Sequence, residues 1–173
     1  MVQIDRNVLD AVLECGVEKY FYASSAHVYP IHLQQEIAPP PIKEEDAYPA
    51  DPELSYGLAK MVGEKNIQYA QSEGKTFRAA IARFISIYGE GQDYNLDTGS
   101  VIPVFSHRAI KYPEVKFDVW GTGKETRSYC YIGDAVDCII KMIEKMDKDD
   151  LVGPLNVGKQ EFINIAMQTI DNT

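Results

Sequence analysis

Apolar residues recur along this chain with two different periods, and the alternation between the periods lays out the fold. Ile4, Val8, Leu9, Val12 and Leu13 fall on one face of a helix, with Gly16 placed where a C-cap would sit. Lys19-Tyr20-Phe21-Tyr22-Ala23 then reads as a buried strand that ends at Ser24 and Ser25. The pattern lapses over 30–55, where Pro30, Pro39, Pro40, Pro41, Pro49 and Pro52 stand among several acids, which predicts a long irregular excursion. Helical spacing returns from Tyr56 to about Ser72 and closes at Gly74. Phe77 to Ile87 is predicted as a second interior strand, ended by Tyr88-Gly89.

A loop over 89–100 leads to a short helix at 101–111, with Pro103 tolerable in its first turn. Val115–Trp120 and Ser128–Ile132 are predicted as short strands flanking the turn Gly121-Thr122-Gly123. Asp134 is placed as the N-cap of a helix over 135–146, with Val136, Ile139, Ile140 and Ile143 as its buried stripe. Leu155-Asn156-Val157 reads as a further strand, and Asn164 as the cap of a last helix. Helices alternating with apolar strands predict an α/β layered sheet.

Composition narrows the function classes. The 173 residues make one domain's worth of chain, with 45% hydrophobic and 10% aromatic residues, as in a folded globular protein. A net charge of −9 argues against nucleic acid and against an anionic membrane surface, both of which need clustered Lys and Arg. Cys15, Cys130 and Cys138 are odd in number and lack metal-ligand spacing, so they read as small core residues in a reducing compartment, the cytoplasm. No apolar run is long enough to span a bilayer as a helix.

The candidate chemistry lies at Ser24-Ser25-Ala26-His27 and at Tyr56-x-x-x-Lys60. On a helix, Tyr56 and Lys60 share a face, and a nearby ammonium favours a phenolate, which would make Tyr56 a proton acceptor. The plain alternative is a surface helix pair. A serine leaving the carboxyl end of a parallel strand stands at the rim where open α/β sheets bind ligands. The plain alternative for Ser24 and Ser25 is a turn or helix cap.

Several segments together resemble the extended short-chain dehydrogenase/reductase family of NAD-dependent sugar-nucleotide epimerases and dehydratases. They are Ser24-Ser25-Ala26-His27-Val28-Tyr29-Pro30, Ser55-Tyr56-Gly57-Leu58-Ala59-Lys60, Arg83-Phe84-Ile85-Ser86-Ile87-Tyr88-Gly89 and Trp120 to Ser128. Within that family, Tyr29-Pro30, Pro49-Ala50-Asp51-Pro52 and Thr126-Arg127-Ser128 most resemble the GDP-mannose 3,5-epimerases. The resemblance implies a Rossmann-like parallel sheet with flanking helices. It makes Ser25, Tyr56 and Lys60 the catalytic set, and Tyr56, Lys60 and Ile85 contacts of NAD, with NADP left open. Ser25, Ala26, His27, Ser86, Glu125, Thr126 and Arg127 would contact a nucleotide-diphosphate sugar, the Arg127 fork suiting a diphosphate. For Arg127 a surface ion pair is the alternative. The family commonly dimerises through helices matching 3–16 and 56–73.

The same resemblance marks departures. His27 stands where the 3,5-epimerases carry a cysteine acid/base group, and two readings stand for it: a substitute proton carrier, or a ring packed beside the sugar pocket. Ser86 replaces a sugar-contacting asparagine, and the partner lysine expected before Pro103 is absent around Ser100-Val101-Ile102. Ala26-His27 also replaces the acidic pair of the 4,6-dehydratases. No glycine-rich turn between a strand and a helix occurs in the chain. The chain is therefore expected to be an internal piece or truncated product of a larger enzyme. It would be a partial NAD(P)-binding domain over 1–173, with parts of a substrate region at about 89–130. A sugar-nucleotide decarboxylase or reductase of the same family, or an inactive binding and dimerisation module, are the competing expectations.

Overall fold

The computed structural model describes residues 1–34, 39, 41–119, 124–159 and 163–164. Its centre is a parallel three-stranded sheet in the order β1-β2-β6: β1 is Lys19–Ser25, β2 Arg78–Phe84 and β6 Leu151–Val157. Helices α1 (Val2–Glu14) and α2 (Ser55–Ser72) cover one face. Helix α4 (Ile132–Lys145) covers the other, and α3 (Val101–Ile110) follows the second strand at a distance in sequence. Two-residue strands complete the set: β3 (Ile87–Tyr88) pairs in parallel with β5 (Cys130–Tyr131), and β4 (Thr126–Arg127) pairs antiparallel with β7 (Ile163–Asn164).

The long apolar run in β2 has a simple cause: this central strand is covered on both faces. Ala79 and Ile81 pack with Leu9, Val12, Tyr22 and Ile67 under the α1–α2 layer. Ala80 and Ala82, pointing the other way, pack with Ala135, Met142, Met146 and Val152 under α4. Arg83 continues the odd-numbered set and is therefore aimed at α2, although it is charged. In β6, Gly153 is left-handed (φ 94°) and Pro154 cannot donate to the ladder, and the pairing with β2 shifts register there, between Ala80 and Ala82.

Helix α2 lies unusually close to what it covers. A Cβ at Gly57 would overlap the His27 carbonyl oxygen, and one at Gly63 would overlap the Tyr22 hydroxyl. Only glycine at these positions lets the helix backbone settle onto the end of β1 and the turn after it.

Several expectations need correction. The strand expected over Phe77–Ile87 breaks in two, because Ser86 takes a left-handed conformation (φ 42°) and turns Ile87–Tyr88 into a separate small sheet. Val115–Val119 is not a strand; Phe117 instead packs against Phe105 of α3, ring centroids 5.3 Å apart. The strand placed at Ser128–Ile132 shrinks to Cys130–Tyr131. Helix α4 starts three residues earlier than expected, so Asp134 sits inside its first turn, with Tyr131 at the N-cap.

The stripe of α4 is also reversed. Ala135 and Met142 are buried, whereas Val136, Ile140 and Ile143 are exposed along with Ile132, and Ile139 of the expected stripe is half-buried. The expected Gly121-Thr122-Gly123 turn and the last helix beyond Asn164 fall outside the described residues. No helix among the described residues is long and apolar enough to cross a membrane.

Candidate functional site

The carboxyl ends of β1, β2 and β6 open into a cleft of about 720 Å³, within the range of small-molecule sites. Ser25, Ala26 and His27 line it from the end of β1, and Phe84, Ile85 and Ser86 from the end of β2. Asn156, Gly158 and Lys159 enter from the end of β6, Arg127 and Ser128 from β4, and Pro41, Ile42, Lys43 and Glu44 from the proline-rich excursion. Six of the residues singled out from the sequence thus converge: Ser25, Ala26, His27, Ile85, Ser86 and Arg127. Parallel strands pointing one way, each ending in a loop, produce this convergence.

Ser25 is buried, and its Oγ accepts a hydrogen bond from the His27 N–H at 3.3 Å. The serine therefore caps the single turn Ala26–Val28 and also lines the cleft. Tyr56 begins α2, and its ring meets His27 edge-on, centroids 5.5 Å apart at 80°. The Gly57 approach to the His27 backbone is what holds that contact. Lys60, one turn further, places its ammonium 4.9 Å from the centroid of the Tyr22 ring. The Tyr22 hydroxyl donates to Asp5 at 3.2 Å. Burial, reinforced by Asp5, pushes the Tyr22 phenol far above its ordinary range.

Among the described residues no hydrogen bond joins Ser25 or Lys60 directly to the Tyr56 hydroxyl, and neither Tyr56 nor Lys60 lines the cleft. Glu125 and Thr126 likewise lie outside its lining; Thr126 pairs with Asn164 across the β4–β7 ladder. Arg127 lines the cleft and turns one N–H back to the Thr126 carbonyl at 2.8 Å. The Ser128 hydroxyl donates to the Lys159 carbonyl, which ties β4 to the end of β6.

Behind the cleft lies a polar cluster that sequence reasoning missed. Arg83 and Glu64 form an ion pair at 2.8 Å with both side chains almost wholly buried. Arg83 Nε and one terminal nitrogen donate to the two Glu64 oxygens, at 3.0 and 2.8 Å, and Ser24 Oγ donates to the same carboxylate at 2.5 Å. The other terminal nitrogen of Arg83 donates to the Tyr29 hydroxyl (3.1 Å) and to the Glu44 carbonyl (2.8 Å). Tyr29 in turn donates to Asn156 Oδ1 at 2.6 Å. Burial drags the Arg83 guanidinium down, but the Glu64 hydrogen bonds and charge outweigh it and hold Arg83 above its ordinary value. Two signals existed in the sequence: Glu64 follows Tyr56 and Lys60 at the same four-residue spacing, and Arg83 interrupts an otherwise apolar strand.

Phe84, Ile85 and Gly158 give the cleft a narrow apolar wall, where a Cβ on Gly158 would come within 3.0 Å of the Ile85 side chain. Among the described residues, no helix is opened by a glycine-rich turn that could hold a pyrophosphate.

A sequence profile described as the NAD dependent epimerase/dehydratase family matches residues 1–158. The chain belongs to that family. It is 30% identical over 162 residues to a GDP-mannose 3,5-epimerase from Arabidopsis thaliana, which covers 94% of this chain and 41% of the relative. Its fold matches a UDP-N-acetylglucosamine 4-epimerase from Methanobrevibacter ruminantium M1 with a TM-score of 0.80 at 20% identity, covering 95% of this chain and 49% of that one. A GDP-L-fucose synthetase from Naegleria fowleri bound to NADP matches with a TM-score of 0.71 at 26% identity, over 99% of this chain and 56% of the other. The chain thus spans about half the length of the relatives it matches. The matching solved structures support the Rossmann-like parallel sheet expected from the sequence.

Proposed function

We propose that this chain forms the sugar-facing half of an NAD-dependent nucleotide-sugar epimerase, with the cleft at the strand ends holding a nucleotide-diphosphate sugar. The supporting observation is the convergence of Ser25, His27, Ser86 and Arg127 on one cleft, with Tyr56 held against His27 at its rim. Bound NAD supplies a reversible hydride acceptor for a sugar carbon; NADP is the alternative form. Tyr56, Lys60 and the apolar wall at Ile85 are the residues of this chain assigned to its nicotinamide end.

The chain's own residues then have defined work. Tyr56 takes the proton of the sugar hydroxyl as its carbon is oxidised and returns it on reduction. Ser25 hydrogen-bonds the same oxygen and holds it in line. Lys60 lends positive charge to the Tyr56 phenolate once the ammonium swings from the Tyr22 ring toward the helix face it shares with Tyr56. Arg127 pairs with diphosphate oxygens, and Ala26, His27 and Ser86, which line the cleft, contact the sugar or its linkage.

A homodimer through α1 and α2 is part of the proposal. Ile4 and Val8 on α1, and Leu58 and Tyr69 on α2, form an exposed apolar surface on that layer. The three cysteines are free, consistent with a reducing compartment such as the cytoplasm. A reductase of the same family is the second reading, favoured by the likeness to the NADP-bound GDP-L-fucose synthetase.

The test is Tyr56→Phe, with GDP-mannose and UDP-glucose as substrates and products resolved by NMR. Turnover is expected to fall by about 10²–10⁴ with nucleotide-sugar binding retained. Undiminished turnover removes Tyr56 from the chemistry, and with it the proton-transfer mechanism assigned to Ser25, Tyr56 and Lys60.

A further inference from the structure

The buried Arg83–Glu64 pair is expensive to bury and touches no cleft surface itself, yet every bond it makes leads to an element that shapes the site. Through Glu64 it grips α2, two turns past Tyr56 and one past Lys60. Through Ser24, which donates to the same carboxylate, it grips the end of β1, next to Ser25. In the opposite direction, Arg83 reaches the Glu44 carbonyl directly, and reaches Asn156 through Tyr29.

Asn156 finishes the connection. Its side-chain amide donates to the Ile42 carbonyl at 3.0 Å, and its backbone N–H donates to the Glu44 carboxylate at 2.8 Å. Residues 41–44 form one wall of the cleft and belong to no helix or strand before the short turn Glu44–Ala47. That wall has no sheet ladder to hold it. Among the described residues, its tertiary hydrogen bonds run to Arg83 and to Asn156.

From this geometry we infer that Arg83 is a positioning residue, and that with Tyr29 and Asn156 it sets the 41–44 wall of the cleft in register with the helix carrying Tyr56 and Lys60. The cluster joins the two sides of the site through one connected set of hydrogen bonds, buried and charge-assisted at Arg83–Glu64 and part-buried or exposed where Arg83 and Asn156 meet the wall, so displacement of one side is felt by the other. The inference rests on the reading of the cleft as a nucleotide-sugar site for its kinetic consequence, and on the structure alone for its mechanical one.

Two variants separate the links. Tyr29→Phe removes one hydroxyl at constant shape and cuts the path from Arg83 to Asn156. Arg83→Lys keeps the charge but loses the fork, so it cannot hold Glu64 and the wall together. The first readout is amide hydrogen exchange in the peptide spanning 41–47 of the whole protein at 25 °C, with no ligand added. The second is KM and kcat for the nucleotide sugar that the wild type turns over.

Exchange over 41–47 is expected to quicken about tenfold or more in both variants. KM is expected to rise about tenfold in Tyr29→Phe, with kcat falling less than KM rises. A lower Tm with exchange over 41–47 and KM both at wild-type values shows a structural role only and overturns the inference. If Arg83→Lys does not fold, Tyr29→Phe decides the matter alone. If the wild type turns over no nucleotide sugar, the functional reading fails by itself, and unchanged exchange over 41–47 in Tyr29→Phe still overturns the positioning role.

Discussion

Breaking the buried ion pair from either side, and then removing both partners, tests the energetic account of this fold. Glu64→Leu leaves the Arg83 guanidinium, about 2% exposed, with two of its four hydrogen bonds gone and no counter-charge. Arg83→Met leaves the Glu64 carboxylate with Ser24 alone. Each single change is expected to cost about 3–5 kcal/mol, because an uncompensated charge stays in the interior. Against a usual domain stability of about 5–15 kcal/mol, that is a large share. The double variant Glu64→Leu/Arg83→Met removes both charges and should recover much of the loss. It will not recover all of it, because Tyr29, Ser24 and the Glu44 carbonyl lose partners as well.

Urea unfolding followed by circular dichroism reads the cycle. With a slope of about 2 kcal/mol per molar, the single variants should shift the midpoint down by about 1.5–2.5 M, and the double variant by clearly less. Additive losses in the double variant would refute the reasoning, since they would mean that neither charge depends on the other.

How much of this was legible in the sequence depends on where tertiary packing took over from local pattern. Helix α1, strand β1 and helix α2 lie where the apolar spacing puts them, although only Leu9 and Val12 of the α1 face are buried and Ile4 and Val8 are exposed, and the cleft residues at Ser25–His27 and Ile85–Ser86 follow from where those strands stop. Helix α4 shows the limit. It carries two apolar stripes, one through Ile132, Val136, Ile140 and Ile143, the other through Ala135, Cys138, Met142 and Met146. Only the small and flexible second set faces the sheet, where α4 lies close over Ala80 and Ala82. A periodicity argument weights branched residues most and so selects the wrong face. Val115–Val119 has strand-like composition, but strand composition needs a neighbouring edge, and Phe105 of α3 captures Phe117 instead. Ser86 interrupts the second strand through a backbone angle that no composition rule anticipates for serine. The Arg83–Glu64 cluster was invisible for a different reason: a long-range polar contact leaves no period in the chain.

Further outcomes follow from burial and charge. Met142→Ala is expected to cost about 2–5 kcal/mol in urea unfolding, since Met142 is 3% exposed. Ile140→Lys on the same helix should stay within about 0.5 kcal/mol, since Ile140 is 49% exposed; equal losses would place the buried stripe on the wrong side. Burial raises the phenol pKa values of Tyr20, Tyr22, Tyr29 and Tyr129. The folded state therefore holds these protons more tightly than the unfolded chain, whose tyrosines titrate near about 10. Their contribution to stability is complete below that pH and is lost as pH rises above it. Absorbance at 295 nm should show these phenols ionising together with alkaline unfolding, and free titration of all tyrosines before unfolding would contradict the burial.

The central claim is that the cleft at the carboxyl ends of β1, β2 and β6 receives the nucleotide sugar. An amide NMR titration of the ¹⁵N-labelled protein with GDP-mannose and then UDP-glucose tests it most directly. The account predicts shifts that saturate and cluster at Ser25–His27, Ile85–Ser86, Arg127–Ser128 and Gly158–Lys159. Shifts confined to the opposite end of the sheet, around Lys75–Arg78 and Asp150, or no saturable shift with either ligand, would contradict it.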